Sequence, residues 1–387
     1  MTLSLTLRRR ARAAILLSLT ALALGACSDS TGPSKVVAGT LTLVPGLAPA
    51  DITPDGVTAL LGDFASPGGD VYYYNTVSNT LSTHSQAGSP DYDFATGISS
   101  TLSYTALHGK PVLAGVWTEG TGWNDLPNIY PTGCEYDNLT HEQDQGGAWD
   151  ITADGHVVVG LLWNLCRGVA FYWDNSAGPG GFVQLDLLGA SAPGDSSPPS
   201  NRATKIADNG SLIGGWAETP LVGRYPAIWY PSGAGVLLPS GTFTDDSPGE
   251  VLAVSADGSV VAGDWGWDGF YWSAADGVVN LGARPADALP DDRVVAKAVS
   301  AGGKLIFGTM GDPFFSTPQP FVWTKDKGIR TIAGILADNH IAVPAGISLT
   351  NLVAASADGS VLLGFGYDDA FQLQTWILHL PVAAYGI

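Results

Sequence analysis

The chain has 387 residues, 45% of them hydrophobic and 14% charged, with 36 acidic residues against 17 basic ones. That composition is globular rather than disordered, and a formal charge of −19 argues against a surface built to hold nucleic acid. Fifty Gly and 25 Pro beside 12 Trp fit a fold made mostly of turns and short strands.

Met1–Ala26 carries Arg8, Arg9, Arg10 and Arg12 ahead of the apolar run Ala13–Leu24. A basic head, an apolar centre and a small-residue exit are the pattern of an export signal. The run is shorter than the roughly 20 residues of a membrane-spanning helix. Leu24-Gly25-Ala26-Cys27 resembles the lipobox of bacterial lipoproteins. The resemblance implies cleavage before Cys27, lipidation of its thiol, and attachment to the cell envelope through the lipid. Ser28 in place of Asp implies, by the same resemblance, no retention in the inner membrane. A soluble secreted protein cut after Ala26 is the alternative. Residues 27–38 then form the lipidated Cys and a flexible tether, and residues 39–387 the folded domain. Loss of the leader leaves 13 basic residues and a formal charge of −23.

Beyond the tether the chain repeats itself. Ile151–Gly160 (ITADGHVVVG), Ile206–Gly215, Val251–Gly263, Val299–Gly308 and Ala355–Gly364 share an apolar strand, a tight Asp-Gly type turn and a second apolar strand. Each is followed by a Trp: Trp173, Trp229, Trp272, Trp323 and Trp376. Ile52–Gly62 is a weaker copy with Tyr73 near the Trp position, and Leu107–Gly115 a weaker one still. The turn glycines Gly56, Gly109, Gly155, Gly210, Gly258, Gly303 and Gly359 are spaced by 53, 46, 55, 48, 45 and 56 residues. A period near 50 with four strands per unit predicts an all-β chain, a β-propeller of about seven four-stranded blades. The last unit lacks a fourth strand, and Gly39–Val44 reads as the end of a unit without its beginning. An N-terminal strand is therefore expected to close the ring, removing two sheet edges.

Cys134 and Cys166 are the thiols left beside Cys27. In an exported protein a disulfide is their natural pairing. No His/Cys spacing fits a metal site, and no cofactor motif is present. The turn acids Asp154, Asp257 and Asp358 are read as turn formers rather than calcium ligands.

Val254–Gly263 with Phe270–Trp272, and Ile151–Gly160 with Ala170–Trp173, resemble the HAF-type bacterial extracellular repeat. No copy carries the His before Ala-Phe that names that family; Val169-Ala170-Phe171 stands there instead. The resemblance implies an exported repeat protein of undefined activity and supplies no catalytic residue.

Function is read from the loops between second and third strands, which a meander gathers on one face with the links between blades. Trp117, Trp123, Trp163, Trp216, Asp264, Trp265, Trp267, Asp268, Tyr367 and Asp368 are placed there as candidate ligand-binding residues. Aromatic rings that stack and carboxylates that accept hydroxyl hydrogens suit a glycan-binding or protein-binding face. The Gly263–Gly269 loop (GDWGWDG) is expected to expose at least one of its two Trp. No nucleophile elbow or His-Glu-x-x-His spacing appears, so a monomeric envelope binding module is preferred. A polysaccharide-active hydrolase or lyase is the alternative, and a purely structural scaffold the third reading.

Overall fold

The computed structural model describes residues 39–62, 71–84, 92–108, 113–130, 134–135, 143–144, 146–194, 197–244, 246–286, 288–289, 291–311 and 317–387. The leader, Cys27 and the tether lie outside the described residues. So do the side chains of Cys134, in a two-residue strand, and of its neighbours.

Seven four-stranded antiparallel sheets follow one another along the chain and form the blades of a propeller. The first strands, which line the central channel, are Ala48–Ile52, Tyr92–Ile98, Gly146–Ile151, Asn201–Ile206, Gly249–Val254, Val294–Val299 and Ile347–Ala355. Six blades are simple meanders. In the seventh, Thr40–Pro45 is the fourth strand, antiparallel to Leu373–His379 with Leu43 opposite Trp376. The ring is thus closed by the N-terminal strand. Thr375 adds a hydroxyl bond to the Leu47 carbonyl at 2.6 Å, tying the third strand of blade 7 to the link that leads from the closing strand into blade 1.

The apolar cores lie between blades, because both faces of each sheet carry apolar residues. Between blades 7 and 1, Ile52, Ala59, Leu61 and Tyr74 pack on Ala354, Val361, Leu363 and Ile377. The recurring acid serves its own turn. Asp257 Oδ1 accepts from the Ser255 hydroxyl at 2.7 Å and the Ser259 N–H at 3.1 Å, and Asp154 and Asp358 do likewise.

Register corrects four sequence assignments. The first–second turn of blade 2 is Ser99–Ser103, where Leu102 takes the left-handed backbone (φ 61°) that glycine takes elsewhere. Gly109, the glycine expected at that turn, lies outside the described residues. Trp117 is the in-strand Trp of blade 2: it pairs with Tyr104 as Trp173 pairs with Val158. Tyr74 rather than Tyr73 holds that place in blade 1, and Leu378 rather than Trp376 in blade 7. A short helix, Ile332–Asp338, leads from blade 6 to blade 7 and buries Ile332, Ile335 and Leu336.

Candidate functional site

The two faces of the disc differ. On one, the turn face, the first–second turns of neighbouring blades touch through their backbones. Ser100 N–H donates to the Ala153 carbonyl, Ala153 to Asp208, Ala301 to Ala357 and Ala357 to Pro54, at 2.7 to 3.1 Å. Pro54 has no N–H to pass the chain on to blade 2. These bonds narrow the channel at the turn face. The second–third hairpins and the links between blades meet on the opposite, loop face.

Every first strand carries a register shift at the same place, between residues 49/51, 95/97, 148/150, 203/205, 251/253, 296/298 and 352/354. A bulge re-aims the side chains beside it. Three blades put Ala253, Ala298 and Ala354 after the bulge, while blades 1, 3 and 4 put Asp51, Asp150 and Lys205 there. Lys205 Nζ reaches Asp150 at 3.2 Å and Asp51 at 3.9 Å. Asp150 and Asp51 also accept the N–H of Ile206 and Ile98 on the next blades, at 2.9 and 3.1 Å. Burial raises the Asp150 carboxyl, with Lys205 opposing it. Nearer the turn face Asp208 is pushed up to about 7, first by burial and then by Asp150 and Asp51. These side chains and Lys297 line a cavity of about 90 Å³ on the channel axis.

Above that cavity lies a layer of Arg–carboxylate pairs. Glu250, buried, is held by Arg202 and by Arg224 at 3.1 Å, and it accepts from the Thr204 hydroxyl at 2.7 Å. Arg202 is sandwiched by Trp149 and Trp216, with ring centroids at 4.6 and 5.6 Å, and Arg224 lies over Trp216 at 5.3 Å. Asp264, also buried, pairs with Arg293. Burial raises the Asp264 carboxyl and lowers the Lys297 ammonium.

The structure divides the candidate aromatics. Trp265 is 1% exposed; it belongs to the core between blades 4 and 5, and its Nε1 donates to the Ser247 carbonyl at 3.1 Å. Trp216 is buried under the two arginines. Trp117 and Trp123 are opposite residues of blade 2, with centroids 5.8 Å apart, on the last strands before and after the turn at Thr118–Gly122. They sit by the turn face, because this third–fourth turn lies at the same end of the meander as the first–second turn Ser99–Ser103. Trp163 is half-buried. Asp368 is spent on its own loop, accepting the N–H of Ala370 and Gln372 at 2.9 and 2.8 Å. Asp268 binds Arg284 at 3.0 Å and Asn280 at 3.1 Å. Trp267 and Tyr367 are exposed on the loop face as expected.

Gly263–Gly269 is not a loop. The strands run to Trp265 and from Asp268, leaving only Gly266 and Trp267 in the turn. Gly266 takes φ 64°, as the first central residue of a two-residue hairpin turn does. Strand alternation then buries Trp265 and pushes Trp267 out.

Trp267 is not alone. Every described second–third hairpin tip carries an exposed large apolar side chain: Leu165 (72%), Leu221 (70%), Trp267 (60%) and Phe371 (86%), on blades 3, 4, 5 and 7. Leu165 and Phe371 do so with φ of 50° and 56°, a backbone that bulky residues rarely adopt. Leu187 and Leu289, in links between blades, are exposed on the same face. The turn face shows Val77 and Tyr230 among its third–fourth turns, but its first–second turns outside blade 2 are tipped by Asp, Asn and Gly.

No family profile matches the chain, and no curated protein matches it. Among solved structures, virginiamycin B lyase from Staphylococcus aureus superposes with a TM-score of 0.52 at 11% identity, over 89% of this chain and 100% of that one. Oligogalacturonate lyase from Vibrio parahaemolyticus gives 0.52 at 12% identity, over 90% and 99%. A prolyl endopeptidase gives 0.52 at 10% identity, over 90% of this chain and 51% of that one. At these identities the likeness is one of fold: the chain is a seven-bladed β-propeller.

Proposed function

We propose that the chain is an exported, lipid-anchored binding module of the bacterial envelope, and that its loop face docks a protein partner. The leader with Cys27 in its lipobox-like setting supports the address, and the HAF-like repeat supports an extracellular or periplasmic role. The observation that carries the binding reading is the crown of Leu165, Leu221, Trp267 and Phe371 on the loop face. Large apolar side chains at four hairpin tips are costly to leave in water. Two of them also sit on backbone that resists them, and strain of this kind is characteristic of functional positions.

Two leucines and a phenylalanine favour a protein surface over a sugar. A glycan is the second reading, favoured by Trp267 beside Asp268, since a flat ring stacks on a pyranose face.

The test replaces Leu165, Leu221, Trp267 and Phe371 together by Ser. The variant should melt like the parent and lose retention of a partner from solubilised envelope. If a glycan panel instead binds the parent and not the variant, the ligand is a sugar. Chain cleavage of a polysaccharide by the parent would overturn the non-catalytic reading. Undiminished partner retention by the variant would remove the crown from the account.

A further inference from the structure

We propose that the central cavity is a binding site for a small zwitterion, a molecule with one ammonium and one carboxylate such as a short amino acid, held between Asp208 and Lys297.

Five ionisable side chains line this cavity: Asp51, Asp150, Lys205, Asp208 and Lys297. Three are occupied with one another and with the backbone, as Lys205 joins Asp150 and Asp51 and each carboxylate caps the next blade. Asp208 and Lys297 are different. Among the described residues neither side chain has a hydrogen-bond or ion-pair partner, and they do not reach each other. The carboxylates that act on Lys297 are Glu250 and Asp264. Both are already held, by Arg202 and Arg224 and by Arg293.

The positions are built by the repeat. Asp208 stands in the turn where the other blades have Pro54, Ser100, Ala153, Ala256, Ala301 and Ala357. Lys297 is the extra residue of the blade 6 bulge, between Ala296 and Ala298, further toward the loop face. A rise of about 3.3 Å per residue sets their backbones apart along the axis by on the order of 10 Å, a gap that the lysine stem shortens. Asp208 is half-buried and Lys297 is exposed to the channel, and most of the cavity's accessible lining is polar, because Ile52, Ile151, Ile206 and Val299 are buried in the cores between blades. The cation that acts on Asp208 is Lys205, which is already bonded to Asp150. Desolvation pushes Asp208 toward its protonated form and Lys297 toward its neutral one, with Lys205 opposing the first and Asp264 and Glu250 the second.

A zwitterion supplies both missing partners at once. The deep end holds Asp51, Asp150 and Asp208 against Lys205 alone, so it takes the ammonium. The shallow end has Lys297 with Arg293 nearby, so it takes the carboxylate. A cavity of about 90 Å³ is small, which favours a ligand the size of a short amino acid over a larger one.

The probes are glycine and β-alanine, titrated into the folded full chain and followed by calorimetry and ligand-observed NMR. Saturable binding is expected. Acetate, propionate, methylammonium and ethylammonium, each with one charge, should bind at least about tenfold more weakly. Asp208→Asn and Lys297→Met should each weaken β-alanine by about tenfold or more, and Lys297→Arg by less than Lys297→Met. Both replaced groups lack partners, so the fold should survive, as circular dichroism would verify. Absence of saturable binding for both zwitterions at concentrations on the order of 10 mM overturns the proposal. So does acetate binding as tightly as glycine, or β-alanine binding that ignores both substitutions. The four-serine crown variant should bind β-alanine as the parent does, so this site and the docking face fail separately.

Discussion

Trp265 and Phe243 lie face to face, with planes 4° from parallel and centroids 5.2 Å apart. Tyr225 and Phe270 meet the same indole edge-on, at 4.9 and 5.7 Å. This aromatic cluster joins blades 4 and 5, so Trp265 and Trp267, two residues apart, have opposite roles. Trp265→Ala should destabilise the fold by about 3–5 kcal/mol, the usual cost of emptying a buried Trp site. Trp267→Ala should change stability by less than about 0.5 kcal/mol. Urea unfolding of the two single variants checks the contrast; equal losses would contradict it.

Closure by the N-terminal strand makes a second prediction. A chain beginning after Leu47 loses Thr40–Pro45 and leaves Leu373–His379 as an open edge. It also removes Leu41 and Leu43, which pack on the blade 7 core. Such an edge templates pairing with another copy. The truncated chain should aggregate or melt at a lower temperature than the parent, measured by light scattering during a thermal ramp. A monodisperse truncation with an unchanged melting temperature would show that closure adds nothing.

The channel acids set a pH dependence whose sign follows from their burial. The folded-state pKa of Asp208 is raised to about 7, above its ordinary value of 3.8. Its contribution to stability is therefore fully present below about pH 4 and lost as pH rises through about 7. Asp208→Asn removes that loss. The variant should match the parent near pH 4 and exceed it at pH 8 by up to about 4 kcal/mol, since each tenfold change in proton affinity is worth about 1.4 kcal/mol. Lys205 and Lys297 face the same cavity, so the pH profile of the difference, rather than of either protein alone, is the readout. A difference that is flat with pH would contradict the assignment.

Much of this architecture is legible in the sequence, for a local reason. Asp154, Asp257 and Asp358 each satisfy a turn that any blade must make, so the turn recurs in the letters and gives the period. Blade 2 hides its turn because hydroxyls do the same work: the Ser103 N–H donates to Ser99 Oγ at 3.0 Å, and Leu102 accepts the positive φ. That one substitution of chemistry makes Trp117 and Trp123 read as loop-face residues. The crown is half visible in the letters. An aromatic ring stands out in a polar loop, as Trp267 and Tyr367 do, whereas a single leucine such as Leu165 or Leu221 does not. The channel site also leaves a trace. Asp51, Asp150 and Lys205 replace the alanine that three other copies carry, and Asp208 replaces the alanine of the Ser-Ala-Asp-Gly phrase. What the letters do not carry is which of those charges find partners, because the partners come from the next blade.

The thiols offer a further check on the exported reading. Cys166 sits at the tip of the blade 3 hairpin with φ 61°. Chain isolated without reductant should show no free thiol at Cys134 or Cys166 by alkylation and mass mapping, and reduction should lower its melting temperature. A disulfide closing the loop from Cys134 to Cys166, about 33 residues, is worth about 3–4 kcal/mol in the loop-entropy model. Two alkylated thiols in the unreduced protein would reject the pairing.

The central claim is that the loop face is where the protein works. Site-specific photo-crosslinking in living cells tests it most directly. A photoreactive residue is placed singly at Leu165, Leu221, Trp267 and Phe371, and, as controls on the turn face, at Asp55, Asp154, Asp257 and Asp358. The account predicts one recurring adduct from the four crown positions and none from the turn positions. Adducts confined to the turn positions, or an absence of adducts at all four crown positions, would contradict it.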